Sequence, residues 1–187
     1  DIIKKICEIF NVNTEKKNNS LIFLNTNSII DYSEWKKNLP HPLVDYNTAL
    51  SIFYNLSLIS YYLENINLQF SHIDPNKLLV INDSILIPIN TESLYNIENN
   101  NIKLIEPYDK NNPYLPDELK LNETIPFIIN FKCFYSSLAL FVYDLFIGLN
   151  EEPNILKGIL VIYPMKLYWL FKNSISSNIE ERIIVNL

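Results

Sequence analysis

Glycine is almost missing from this sequence, with two residues among 187. A glycine-rich loop able to cradle phosphates is therefore absent from it. Cysteine and histidine are as scarce: Cys7, Cys133, His41 and His72 are the whole complement. None stands in C-x-x-C or H-x-x-H spacing, so a zinc site is not expected. Two cysteines so far apart make no disulfide framework, which favours a reducing compartment. Basic clustering is missing too. Fifteen Lys and Arg against 21 Asp and Glu give a net charge of −6, and the cations are scattered, so no stripe suited to nucleic acid forms. A long apolar run is lacking: Cys133 to Tyr143 is uncharged for eleven residues before Asp144 interrupts it, which suits a buried helix and not a membrane span. A membrane is accordingly not an expected partner. No signal peptide or internal repeat is visible.

What is present is a core. Hydrophobic residues make up 48% of the chain and aromatics 13%, enough for one domain. The sequons at Asn18, Asn55, Asn82 and Asn122 are expected from chance in an Asn-rich chain. Residues 1–10 read as a helix end running into a strand, and "LIFLN" (21–25) as a strand. "SIIDYSEWKKNL" can hold a short helix that ends at "PHP". From Asp45 to about Glu64, apolar residues at Ala49, Ile52, Phe53, Leu56, Ile59, Tyr62 and Leu63 follow helical spacing, with Asp45 as cap. "KLLVINDSILIPI" reads as a hairpin over Leu78–Ile81 and Ile85–Ile89. Residues 91–124 read as irregular. "FKCFYSSLALFVYDLF" predicts a long apolar helix. Pro153 and Pro164 mark helix starts, and "MKLYWLFKN" and "NIEERIIVNL" read as further helices. The expected class is α+β, mainly helical. Tyr135, Phe141, Tyr143, Trp169 and Phe171 are expected in the core.

This order resembles the eukaryotic-type protein kinase domain without most of its amino-terminal lobe. "LIFLN" resembles the strand leading into the hinge, and "PNKLLV" the tail of the H-R-D-L-K-P-E-N-L-L-V catalytic loop. "PYLPDEL" resembles the Y-x-A-P-E-x segment, "SSLALFVYDLF" the W-S-L-G-x-x-x-Y-E-L helix, and "IEERIIV" the P-x-x-R stretch. The resemblance implies residues 1–30 as a remnant of amino-terminal-lobe strands and hinge, and 31–187 as the carboxy-terminal lobe. The chain, which starts at Asp1, is expected to be a piece of a longer one.

The resemblance also places the chemistry. A kinase needs a carboxylate to accept the hydroxyl proton, an Asn five residues on for metal, and the D-F-G Asp for magnesium. Matched without gaps, His72 takes the place of the catalytic Asp and Lys77 that of the metal Asn, where a cation repels magnesium. Sliding His72-Ile73-Asp74 onto H-R-D leaves Asn76 two residues from Asp74 instead of five. The D-F-G place falls on Asn90-Thr91-Glu92. The family's buried Asp, which anchors the catalytic loop, aligns with Phe134, implying a relaxed loop. Glu118 and Arg182 resemble the family's buried ion pair.

The expectation is a degenerate kinase, a pseudokinase, that binds no cofactor and serves as a protein-binding scaffold or regulator. An active kinase using Asp74 and a structural virion or membrane-associated component stay open beside it. The Asn-, Ile- and Lys-rich composition suggests an AT-rich genome such as that of a large DNA virus. An intracellular, cytoplasmic protein is expected, in the host cytoplasm for a viral source.

Overall fold

A computed structural model of the chain describes residues 2–18, 21–122, 124–150 and 154–182. Helix α1 (Ile2–Ile9) leads into a hairpin of β1 (Asn13–Asn18) and β2 (Leu21–Asn25). Strand β3 (Ile29–Asp31) then runs directly into α2 (Tyr32–Asn38), and α3 (Tyr46–Asn65) follows. The Asp45 carboxylate accepts from the Asn47 and Thr48 amides at 2.8 and 3.1 Å, which satisfies two of the donors a helix start leaves open. The helix buries Ala49, Ile52, Phe53, Leu56, Ile59 and Leu63, the face its spacing predicts.

After α3 come β4 (Leu68–Phe70), β5 (Leu78–Ile81) and β6 (Ile85–Pro88). Strands β5 and β6 form the expected hairpin. Asn82 and Asp83 turn it with φ of 51° and 59°, a region short polar side chains tolerate. Strand β3 joins its edge, Ile29 opposite Ile81, so one sheet spans residue 30.

Residues 91–124 are more ordered than expected. They hold β7 (Leu94–Glu98), β8 (Asn101–Leu104) and α4 (Asp117–Leu121). Strands β7 and β8 turn through Asn99 and Asn100, both at positive φ, which supplies without glycine the backbone a tight hairpin needs. With β4 and β9 (Phe127–Asn130) they make a four-stranded antiparallel sheet in the order β4-β7-β8-β9. One face covers a small second core of Ile102, Leu104, Leu115, Leu119 and Ile129.

Helix α5 (Cys133–Phe146) is the axis of the main core. Nearly every residue in it is buried, as fits a helix apolar on all sides. Helix α3 packs on one side of it; α7 (Lys166–Ser174), reached through the short α6 (Ile155–Ile159), packs on another. Rings of Tyr143 and Phe171 meet at 6.0 Å, and Phe53 reaches Phe171 at 6.1 Å. Asp144, the charge that ends the apolar run, accepts from the Lys36 ammonium at 3.1 Å and the Tyr114 hydroxyl at 2.7 Å. Burial alone would raise its carboxyl; the hydrogen bonds from the Leu149 amide, Tyr114 and Lys36 hold it below the usual carboxylate range.

The architecture is mixed α+β, and among the described residues no helix is long and apolar enough to cross a membrane. Two expectations need correction. In the stretch read as a last helix the described residues hold a 3-10 turn, Ile179–Glu181, while 183–187 lie outside the described residues, as does Pro153. Trp169 is 44% exposed and does not belong to the core, whereas Tyr135, Phe141, Tyr143 and Phe171 do. It sits on the outer side of α7, whose inner side is filled by Leu167 and Phe171.

Candidate functional site

The loop that follows β4 carries His72 and Asp74, and the segment after β6 carries Asn90. The three side chains line one cleft of about 210 Å³, together with Glu92, Tyr108, Asp109 and Asn112. Lys77 is not among its walls: it is exposed, its amide donates to the Asp74 carbonyl, and its carbonyl accepts from the Ile89 amide at 2.9 Å.

His72, Asp74 and Asn90 each have a local contact. Asp74 Oδ1 accepts from the Asn76 amide at 2.9 Å and caps the 3-10 turn Pro75–Lys77. Asn90 does the same for the turn Thr91–Ser93, accepting from the Glu92 amide at 3.2 Å. His72 is 6% exposed. Its Nδ1 lies 2.9 Å from Ser71 Oγ, and its ring stacks obliquely 5.9 Å from Tyr108. Burial pushes its pKa down to about 4, against the opposing pull of Asp74, so the imidazole is neutral at pH 7.

The charge in the cleft is one-sided. Among the described residues its lining includes the carboxyl side chains of Asp74, Glu92 and Asp109 and no Lys or Arg. A phosphate there would meet acids and a neutral imidazole, with no cation to bind it. Among the described residues, no group of three or more His, Cys, Asp or Glu is placed to hold a metal ion.

The loop is anchored, not relaxed. Ser137 of α5 accepts from the Ile73 amide at 2.8 Å and donates to the Tyr114 carbonyl at 2.6 Å. Asn112 Nδ2 donates to the Ile73 carbonyl at 2.8 Å, and the Cys133 thiol to the Ser71 carbonyl at 3.3 Å. Burial, with Glu118 adding to it, pushes that thiol far above its ordinary value, so it stays protonated and able to donate. Phe134, the position matched to an anchoring Asp, is instead core, its ring 6.1 Å from Phe70. The sequence does contain a signal for Ser137: a hydroxyl in a helix that is apolar all round must find a buried partner.

Glu118 and Arg182 are brought together. Arg182 Nη1 lies 2.6 Å from Glu118 Oε1, and Arg182 Nε donates to the Ser176 carbonyl at 2.8 Å. The Arg182 side chain is 5% exposed and that of Glu118 24%. The contact ties α4 to the turn at 179–181.

No protein-family model matches the chain, and no curated protein matches it.

Proposed function

We propose that the chain is a degenerate protein-kinase-like domain that works as a protein-binding scaffold or regulator and does not transfer phosphate. The observation that carries the reading is the cleft at His72, Asp74 and Asn90, which offers phosphate no cation. In the kinase alignment this is the place where base, metal ligands and phosphates converge, and positioning plus charge is most of that catalysis. Asp74 and Asn90 each have one side-chain oxygen engaged by a backbone amide, and Lys77 lies outside. What supports the kinase-like part is the framework: a polar residue of α5 holding the loop backbone, and the Glu118–Arg182 pair closing the segment below it. A framework kept rigid around a cleft without its chemistry suits binding by its outer surface. The same reading places the protein in the cytoplasm.

The test is thermal melting with magnesium and ATP added separately and together. A ligand at about 100 times its Kd stabilises a fold by roughly 2.7 kcal/mol. The expected result is no shift. A magnesium-dependent shift of several degrees, abolished by Asp74→Asn, would refute the reading and favour an active kinase that uses Asp74. For the binding half, proximity labelling of the full chain in its native extract is expected to mark a reproducible set of neighbours. Labelling no different from that of an unrelated protein of equal charge would remove the scaffold role.

A further inference from the structure

Exposed large hydrophobic side chains are unevenly distributed. Thirteen occur among the described residues, and six of them, Leu156, Leu160, Val161, Tyr163, Met165 and Trp169, fall within one stretch of fourteen residues. Scattered single exposures are ordinary, but a contiguous set marks a contact surface. The elements that carry the six are neighbours in space. Helix α6 continues into the 3-10 turn Leu160–Ile162, so Leu156 and Leu160 are one turn apart on the outer side while Ile159 and Ile162 face the core. The chain then brings Tyr163 back against α7, its ring 6.2 Å from Trp169.

The charge of this stretch opposes that of the whole protein. Between Asn154 and Ser174 the sequence carries Lys157, Lys166 and Lys172 and no acid, in a chain of net charge −6. Lys166 and Lys172 are exposed, and the Lys172 ammonium sits over the Trp169 ring, 5.1 Å from its centre. The shape is convex at the 3-10 turn, where Val161 is 84% exposed; Leu156, also exposed, borders an open groove shared with Asp117 and Lys120.

We infer that this face docks on an anionic membrane surface, with Leu156, Leu160, Val161 and Met165 entering the headgroup layer. Tyr163 and Trp169, each with an apolar body and a polar atom, sit at its edge, and Lys166 and Lys172 pair with lipid phosphate and carboxylate groups. A protein partner would have to supply a deep apolar cleft ringed with acids, whereas a bilayer interface accepts a projecting turn without any preformed shape. Docking of this kind needs no spanning helix, so the short apolar runs of the sequence do not bear on it. The inference stands apart from the scaffold reading and survives its failure.

The molecule carries its own probe. Trp35 is 5% exposed and bonded to the Asp83 carbonyl, so a change in tryptophan emission on docking reports Trp169. The experiment adds the full chain to vesicles of phosphatidylcholine alone and to vesicles of equal parts phosphatidylcholine and phosphatidylserine. A blue shift and co-sedimentation with the mixed vesicles only, weakened by salt, are expected. Replacing Lys166 and Lys172 by Gln should lower partitioning by about fivefold each, from roughly 1 kcal/mol per cation near an anionic surface and 1.4 kcal/mol per factor of ten. Leu160→Asp with Val161→Asp, both at exposed positions that leave the core intact, should lower it by at least about tenfold. Absence of a shift with mixed vesicles overturns the inference, as does a shift unchanged in the Leu160→Asp, Val161→Asp variant. A shift that needs no lipid and grows with protein concentration also overturns it, since the face then joins copies of the chain.

Discussion

Glu118→Ala removes the partner of a guanidinium that is 5% exposed. What remains for Arg182 among the described residues is a hydrogen bond from Nε to the Ser176 carbonyl at 2.8 Å. Breaking a buried pair from one side leaves an uncompensated charge and costs about 3–5 kcal/mol, against about 0–1 kcal/mol for a solvated pair. Two features favour the lower end. Glu118 is 24% exposed, so water can reach the vacated space. Nη1 and Oε1 also meet in charge contact without forming an aligned hydrogen bond, and Glu118 Oε2 has no hydrogen-bond partner among the described residues. A loss of about 3 kcal/mol is expected, and for a domain of this size that is a fall in Tm of roughly 6–12 °C. Urea denaturation of the wild type, Glu118→Ala, Arg182→Met and the double variant Glu118→Leu, Arg182→Met forms the assay. The double variant should recover most of the loss, because matched apolar groups need no charge compensation. A Glu118→Ala loss below about 1 kcal/mol would place the pair among solvated surface contacts and refute its role in holding the segment. Additive effects in the cycle would refute the coupling itself.

Three further outcomes are expected. Ser137→Ala leaves the Ile73 amide and the Tyr114 carbonyl without their partner; stability should fall by about 2 kcal/mol or more, and hydrogen exchange at the Ile73 amide should accelerate beyond the global change. His72 has a folded pKa of about 4 against an ordinary 6.5. The unfolded chain therefore takes up the proton first as pH falls, and stability is full above about 6.5 and lost progressively towards 4, by about 3 kcal/mol in all. Glu64, its carboxyl raised by burial, works with the opposite sign, so the measurement is the difference between wild-type and His72→Gln stability across pH 4–7; a flat difference would show His72 to be solvated. Gly158→Ala would set a methyl group onto the Tyr143 hydroxyl and 2.9 Å from its ring carbon. A loss of about 1–3 kcal/mol is expected, smaller in a Tyr143→Phe background; equal losses in the two backgrounds would locate the strain elsewhere.

The parts of the fold legible in the sequence are those where one local rule dominates. Helix α3 announced itself by an apolar face and the Asp45 cap, α5 by an uncharged run too short for a membrane, and the β5–β6 hairpin by two β-rich runs around Asn82-Asp83. Strands β7 and β8 carry the same kind of signal, Ile97, Ile102 and Leu104 alternating with Glu98, Asn101 and Lys103 around Asn99-Asn100; the polar, proline-punctuated composition of the segment around them obscures it. Strands β3 and β4 span three residues each, too short for any alternation to register; their pairing is set by tertiary partners. Trp169 was assigned to the core by residue type, yet the inner side of α7 was already filled. At the cleft, His72, Asp74 and Asn90 line one set of walls, a juxtaposition that follows from how the β4 loop and the segment after β6 meet. Sequence order could not show that Lys77 points away or that Ser137 holds the loop, since both depend on how α5 lies beneath it.

Seven described residues have positive φ, and six of them are Asn11, Asn67, Asn82, Asp83, Asn99 and Asn100; Gly148 is the seventh. A chain that reverses direction on asparagine carries a small strain at each bend, yet its unfolded state has less freedom to lose than glycine would give it. The two effects are of similar size and opposite sign, so exchange between Asn, Asp and Gly at these bends is close to neutral in free energy. Asn82 is the exception, because its side-chain carbonyl also receives the Asn27 amide at 3.1 Å. The bends of this protein are thus positions where sequence can drift while the framework around the cleft stays still.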